Sequence, residues 1–168
     1  MSSATLISVD EFLKSAYKPA CEYIDGVLRP KPMPTKLHAL IQFLIVSLLR
    51  AQNVDALAEV CVRVTPTKFF VPDVIADSRI QDPYPTEPVI LCVEILSPDD
   101  EPGETMARVS DYLHAGTSAV WMIDPYKRRV FVADHNGTRE VENLIVSMDL
   151  IGSVDFNELF RQLDEPAD

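Results

Sequence analysis

Glycine is scarce in this sequence, which has 5 glycines and 13 prolines among its 168 residues. The chain contains no glycine-rich phosphate loop, no Gly-x-Ser-x-Gly nucleophile elbow and no His-Glu-x-x-His helix. These absences argue against the common nucleotide-binding, serine-hydrolase and zinc-protease sites. The many prolines indicate stiff connections between secondary-structure elements rather than flexible linkers.

Paired cysteines and long apolar runs are also missing. Cys21, Cys61 and Cys92 are odd in number, form no Cys-x-x-Cys pair and have no histidine at metal-ligand spacing. A structural zinc site is therefore not expected, and the cysteines indicate buried, reduced thiols in a cytoplasmic protein. The longest apolar stretches, at 41–49 and 89–96, are too short to span a bilayer. We expect a protein with no membrane association.

Positive charge is in short supply. The 15 lysines and arginines are outnumbered by 26 aspartates and glutamates, so the formal net charge is -11. Such a charge repels phosphates, and non-specific affinity for nucleic acid comes mostly from lysine and arginine. Any function on nucleic acid therefore requires a local basic patch or a bound metal ion.

The pattern of apolar residues predicts an α/β (α+β) fold in one domain over residues 1–168. Asp25-Gly26 between apolar residues indicates a β-hairpin near the N-terminus. Apolar residues at helical spacing over 37–49 predict a long amphipathic helix. Three β-rich stretches, one helix, two strands and a final helix are predicted in this order: 59–64, 69–76, 89–96, Pro102 to Gly116, 119–123, 129–133 and the residues after Asp155. This order implies a mixed sheet covered by helices.

Two carboxylates stand inside apolar β-stretches, Asp73 in the second and Glu94 in the third. An isolated buried carboxylate costs several kcal/mol or changes its pKa, so each acid requires a cation, hydrogen-bond donors or water nearby. If the two strands are neighbours, a divalent ion between the acids would offset their repulsion. The alternative is that each acid lies at a strand end and reaches solvent.

Several short motifs together resemble one known family. They are Glu22-Tyr23-Ile24-Asp25-Gly26, Met33-Pro34 with His38, Val71-Pro72-Asp73, Val93-Glu94-Ile95-Leu96-Ser97-Pro98, Tyr112-Leu113-His114-Ala115-Gly116 and Val120-Trp121-Met122-Ile123-Asp124-Pro125. Each motif is weak alone, but their joint order and spacing resemble the Uma-type restriction-endonuclease family of the PD-(D/E)XK phosphodiesterase superfamily. The resemblance extends from about residue 9 to the final helix.

This resemblance implies a restriction-endonuclease-like fold, a mixed central sheet flanked by helices with an N-terminal β-hairpin. It also implies Mg²⁺-dependent (or Mn²⁺-dependent) cleavage of nucleic-acid phosphodiester bonds, with DNA as the expected substrate. Asp73 and Glu94 match the metal-binding acids, and Glu22 matches a further acid of the site. The superfamily lysine would stand at position 96, which is Leu96, and its relocated position matches Arg108. An arginine can supply positive charge there but cannot act as a base.

Other interpretations stay open at this stage. Arg108 lies off the apolar stripe of its predicted helix, so a solvated side chain is an alternative to a catalytic one. For His38, a hydrogen bond to backbone at the edge of the core is the more common arrangement. The missing lysine and the negative charge also favour a catalytically weakened member of the family that binds nucleic acid or protein. A phosphodiesterase for smaller substrates is a third possibility, and a homodimer is compatible with each.

Overall fold

The structure is a computed structural model that describes residues 6–164. Its helices are α1 (Val9–Lys14), α2 (Lys36–Arg50), α3 (Pro102–Ala115) and α4 (Phe156–Asp164). Its strands are β1 (Cys21–Ile24), β2 (Val27–Pro30), β3 (Asp55–Ala58), β4 (Val62–Thr65), β5 (Lys68–Phe70), β6 (Val74–Asp77), β7 (Leu91–Ile95), β8 (Ala119–Asp124), β9 (Arg129–Asp134), β10 (Gly137–Glu140), β11 (Ile145–Met148) and β12 (Gly152–Asp155).

The N-terminal hairpin is confirmed. β1 and β2 are antiparallel, and the turn between them holds Asp25 at φ 49° and Gly26 at φ 91°. Two consecutive residues with positive φ are typical of the tight turn that matches the twist of a hairpin, which explains the Asp-Gly pair. β1 also pairs with β5, so the hairpin belongs to a four-stranded sheet in the order β2-β1-β5-β4.

The central sheet has six strands in the order β10-β9-β8-β7-β6-β3. Only β7 and β8 are parallel, and the other neighbours are antiparallel, so the sheet is mixed. Side chains of α2 and α4 pack with Leu91, Val93 and Ile95 of β7 on one face of the sheet. α3 packs with Cys92 on the other face. The predicted fold class, a mixed sheet flanked by helices, is confirmed.

Two of the predicted β-stretches are each broken by a turn. Residues 59–64 do not form one strand, because β3 ends before Glu59, which has φ 57°, and β4 begins at Val62. Likewise, Val71, Pro72 and Asp73 separate β5 from β6. Proline has no N–H for a strand ladder. The Val71 N–H donates to the Glu22 carboxylate at 2.9 Å instead of to a neighbouring strand. The predicted order of three strands is therefore wrong, and five strands lie between α2 and α3.

α3 has the predicted boundaries, with Pro102 in its first turn and Gly116 after its last. Gly116 has φ 113°, the left-handed conformation in which helices commonly end. A Cβ at this position would lie 3.0 Å from Pro88 Cγ, so the close approach also favours glycine. None of the helices within residues 6–164 has the length and hydropathy needed to span a bilayer.

Candidate active site

The two predicted acids meet at one end of the central sheet. β6 and β7 pair antiparallel with Val74 opposite Val93, so Asp73 directly precedes the paired part of β6 while Glu94 directly follows Val93 in β7. Asp73 Oδ2 accepts a hydrogen bond from the Ile95 N–H at 2.8 Å. The carboxylate of Asp73 thus lies against the backbone next to Glu94. Adjacent strands bring the two acids together, as the sequence indicated.

Asp73 is buried and has two further side-chain partners. Its Oδ1 lies 3.1 Å from Lys31 Nζ and 3.1 Å from His38 Nε2. Burial would raise the pKa of Asp73, but the hydrogen bond from His38 and the charge of Lys31 hold that pKa below its ordinary value. The same hydrogen bond raises the pKa of His38 against the effect of burial. Asp73 is therefore an ionised acceptor held by three donors.

The ammonium group of Lys31 has three acceptors. Lys31 Nζ lies 2.8 Å from the Val71 carbonyl oxygen, 3.1 Å from Asp73 Oδ1 and 3.1 Å from Glu59 Oε2. Burial would lower the pKa of Lys31, but the charges of Asp73 and Glu59 raise it above its ordinary value. Lys31 is therefore a charged ammonium at neutral pH.

Glu94 is held by two side chains that lie one turn apart on α3. Glu94 Oε1 accepts a hydrogen bond from the Tyr112 hydroxyl at 2.8 Å and lies 3.9 Å from Arg108 Nε. Burial, followed by the negative charge of Asp73, raises the pKa of Glu94 to about 8. Arg108 and Tyr112 oppose this rise but do not cancel it. Glu94 is thus an acid whose ionised form lacks a full set of stabilising partners.

Arg108 lies in the site, where its side chain is half-buried rather than fully solvated. Its guanidinium group donates two hydrogen bonds to Glu22, one of them from Nη2 to Oε2 at 2.8 Å, and stacks on the Phe70 ring at 4.8 Å from the ring centroid. Glu22 is buried and also accepts the Val71 N–H. The resemblance placed Glu22 and Arg108 near the two acids. Both are present in the site, but they are bonded chiefly to each other.

The sequence did not identify Lys31, Gln42 and Glu59 as residues of the site. Lys31 stands between Pro30 and Pro32, and a lysine between two prolines is held in extended backbone, which is a signal that the sequence offers. Gln42 Nε2 donates to the Asp73 carbonyl oxygen at 2.7 Å and to Glu59 Oε1 at 2.9 Å. Glu59 lies in the turn where a strand had been predicted.

His38 also differs from the arrangement that the sequence favoured. Its side chain bonds Asp73 rather than the backbone. The Thr35 hydroxyl caps α2 by accepting the His38 backbone N–H at 3.1 Å, which fixes His38 in the first turn. Gln42 follows one turn later, so α2 presents both side chains to the same end of the sheet.

The charges of the site leave room for a divalent cation. Its four carboxylates are those of Glu22, Glu59, Asp73 and Glu94, and its side chains with permanent positive charge are Lys31 and Arg108. When all four acids are ionised, two negative charges remain unbalanced. Carboxylate oxygens are the ligands that Mg²⁺ and Mn²⁺ prefer, so the donor set at Asp73 and Glu94 fits such an ion.

Comparisons with known proteins identify a family and a similar solved structure. The sequence model of the Uma2 family, described as "Putative restriction endonuclease", matches residues 9–157. The chain is also similar to a crystal structure of "a putative nuclease belonging to DUF820" from Anabaena variabilis ATCC 29413. That structure is 28% identical, has a TM-score of 0.75 and is matched over 94% of this chain and 99% of its own. None of the curated proteins matches the chain.

Proposed function

Because the chain belongs to the Uma2 family, we propose that it is a metal-dependent nuclease that hydrolyses phosphodiester bonds of DNA. The observation that carries the proposal is the meeting of Asp73 and Glu94 at the sheet end, in a cluster whose four carboxylates, when ionised, leave two negative charges unbalanced. A nuclease role is supported by the family and by the structural neighbour. The dependence on Mg²⁺ or Mn²⁺ and the choice of DNA are the parts that we propose.

Asp73 and Glu94 are the proposed metal ligands. When bound, the ion would polarise a phosphate oxygen and make a coordinated water more acidic. The raised pKa of Glu94 supports this assignment, because a buried carboxyl group next to another carboxylate needs a cation to ionise fully. His38 and Lys31 orient Asp73, while the Tyr112 hydroxyl orients Glu94. Both ligands are therefore held in place by neighbours rather than by solvent.

Arg108 supplies positive charge beside Glu94 but is not the base of the proposed reaction. A guanidinium group stays protonated at every pH at which the protein is folded. Its two hydrogen bonds to Glu22 fix its plane and offset most of its charge locally. Glu22 is thus proposed as the residue that positions Arg108 and not as a metal ligand.

Lys31, His38 and Arg108 are each paired with a carboxylate of the site, so a bound divalent ion would supply the positive charge that a DNA substrate needs on a chain with net charge -11. A homodimer, with one site for each strand of a duplex, is part of the same proposal. Analytical ultracentrifugation would test it. A single monomeric species at assay concentrations would contradict the dimer.

Cleavage assays with matched variants test the proposal. Supercoiled plasmid and single-stranded oligonucleotides are incubated with Mg²⁺, Mn²⁺ or EDTA and the purified chain. We expect cleavage only with a divalent ion, and a loss of about 10²-fold or more in Asp73→Asn and Glu94→Gln, the scale of one lost electrostatic contact in a transition state. Glu142→Gln is the control, because Glu142 is exposed between β10 and β11. Equal cleavage by Glu94→Gln contradicts the proposal, and metal-dependent DNA binding without cleavage supports the alternative of a binding module.

A further inference from the structure

We propose that the Lys31 ammonium group is a fixed cation of the active site that occupies the place of a second divalent ion. The inference rests on the proposed function, because it concerns the same site. It makes the protein a nuclease that uses one metal ion together with one built-in positive charge. It also assigns to Lys31, which directly follows the N-terminal hairpin, the positive charge that Leu96 cannot supply.

Lys31 is held in position before any ligand binds. Its backbone N–H donates to the Ala20 carbonyl oxygen at 2.8 Å, which continues the pairing of β1 and β2 by one residue. Prolines on both sides restrict its backbone further. Its ammonium group uses all three protons, and the side chain is only 18% exposed. A lysine held in this way has little conformational freedom left to lose when substrate binds.

The position of the ammonium group coincides with a set of metal-type ligands. His38, Glu59 and Asp73 each offer one ligand atom, and these atoms lie within 4.8 Å of one another. They are the only such group of three among residues 6–164. Lys31 Nζ lies 3.1 Å from a carboxylate oxygen of both Glu59 and Asp73. A divalent ion at these ligands would meet the ammonium charge at short range, so Lys31 excludes it.

The charge balance leads to the same conclusion. When all four carboxylates of the site are ionised, Lys31 and Arg108 leave two negative charges, which one divalent ion balances. Without Lys31, three negative charges would remain, and His38, Glu59 and Asp73 would be open to a second ion. A ligand set with an imidazole nitrogen favours Mn²⁺ or Zn²⁺ over Mg²⁺.

Lys31 is the better candidate for this fixed cation than Arg108. The guanidinium group of Arg108 is bonded through two nitrogens to Glu22 and lies 3.9 Å from Glu94. Lys31 instead bonds directly to Oδ1 of the proposed metal ligand Asp73, whereas the Ile95 N–H donates to Oδ2. Lys31 is therefore a positioning residue that fixes Asp73 and supplies charge beside the ion.

Counting bound ions tests the inference without any cleavage assay. Titration calorimetry and Mn²⁺ electron paramagnetic resonance are expected to detect one tight site per wild-type chain, without the ¹⁴N coupling of a histidine ligand. In Lys31→Met we expect two sites and a ¹⁴N coupling, and the second site is expected to disappear in Lys31→Met/His38→Ala. Lys31→Arg and the exposed Lys14→Met are expected to keep one site. Two sites or a ¹⁴N coupling in the wild-type protein overturns the inference, whether or not the variants fold.

Activity supplies a second and independent readout. At Mn²⁺ concentrations that fill only the first site, cleavage by Lys31→Met is expected to fall about 10²-fold, with an unchanged circular dichroism spectrum. Leu96→Lys in the Lys31→Met background is expected to restore part of this loss, which a merely structural role for Lys31 would not allow. Undiminished cleavage by a folded Lys31→Met overturns the inference while leaving the proposed function intact. An inactive wild-type chain that still binds one ion contradicts the proposed function instead.

Discussion

Replacing Glu94 by glutamine is expected to stabilise the metal-free protein. Burial and the neighbouring charge of Asp73 raise the pKa of Glu94 from 4.5 to about 8. The folded state therefore keeps a proton that the unfolded state releases, so this group lowers the stability of the fold as the pH rises from 4.5 towards 8. Glutamine cannot ionise, and its side-chain carbonyl oxygen can still accept the hydrogen bond that the Tyr112 hydroxyl donates to Glu94.

The magnitude follows from the difference between the two pKa values. At pH 7 the unfolded carboxyl group is ionised and the folded one is mostly protonated. The free energy of unfolding therefore changes by the difference between pH 7 and the unfolded pKa of 4.5, which corresponds to ~3 kcal/mol. For a chain of this size, that free energy corresponds to a rise of roughly 6–12 °C in Tm. The gain is expected to approach zero near pH 4.5 and to be largest above pH 8.

Thermal unfolding in EDTA between pH 4.5 and 8.5 measures the effect on the wild-type chain and on Glu94→Gln. Glu142→Gln removes an exposed carboxylate and is the control. For this variant we expect that the difference in Tm from the wild type does not grow as the pH rises. Saturating Mg²⁺ is expected to narrow the difference, because the ion stabilises the ionised carboxylate of the wild-type chain. A difference that is independent of pH, or a variant less stable than the wild type at pH 8, would refute the reasoning.

Three further predictions concern other parts of the fold. Arg108→Met leaves the buried Glu22 carboxylate without its counter-charge and is expected to cost about 3–5 kcal/mol in urea unfolding; a cost under about 1 kcal/mol would contradict the pairing. Burial raises the pKa of Cys61 to about 12, so the native chain at pH 8 is expected to leave Cys61 unmodified by iodoacetamide, as measured by mass spectrometry. Gly116→Ala places a Cβ in a left-handed residue against Pro88 and is expected to cost about 1–2 kcal/mol or more. Unchanged unfolding of this variant would show that the loop adjusts freely.

Features that depend on neighbours in the sequence were predictable. The hairpin follows from Asp25-Gly26, because only a few residue pairs adopt two positive φ values in succession. The boundaries of α3 follow from Pro102 and Gly116 in the same way. In both cases the physical cause lies within a few residues of its effect, so one sequence contains enough information.

The two broken β-stretches were not predictable in this way, because their causes are distant in the chain. Val71 leaves the strand ladder when its N–H donates to Glu22, a residue of β1 that lies 49 residues earlier in the chain. Its carbonyl oxygen accepts from Lys31, which follows the hairpin. Apolar periodicity describes which side of a strand is buried and contains no information about such long-range partners.

The same distinction explains which residues of the site were identified. Asp73 and Glu94 are conspicuous because each is a charged group within an apolar run, where a carboxylate needs a partner. Lys31 stands between two prolines, and Glu59 stands at the first position of a predicted β-stretch, where a charge can reach solvent. Their role is visible only when the hairpin and the turn after β3 are brought to Asp73. The two acids can be identified from the sequence, whereas the cations of the site can be identified only from the fold.

The pairing of these cations implies an order of binding. Lys31 is bonded to Asp73 and Glu59, and Arg108 to Glu22, so neither positive charge is free to attract a phosphate. The metal-free site therefore offers no free positive charge to DNA on a chain with net charge -11, and we expect a divalent ion to enter first. We expect the DNA affinity of the wild-type chain to be at least about tenfold higher in Ca²⁺ than in EDTA at fixed ionic strength. For Glu94→Gln we expect the same DNA affinity in Ca²⁺ and in EDTA. Tight binding of the wild-type chain in EDTA would place the DNA on another surface, because this site has no unpaired positive charge to offer it.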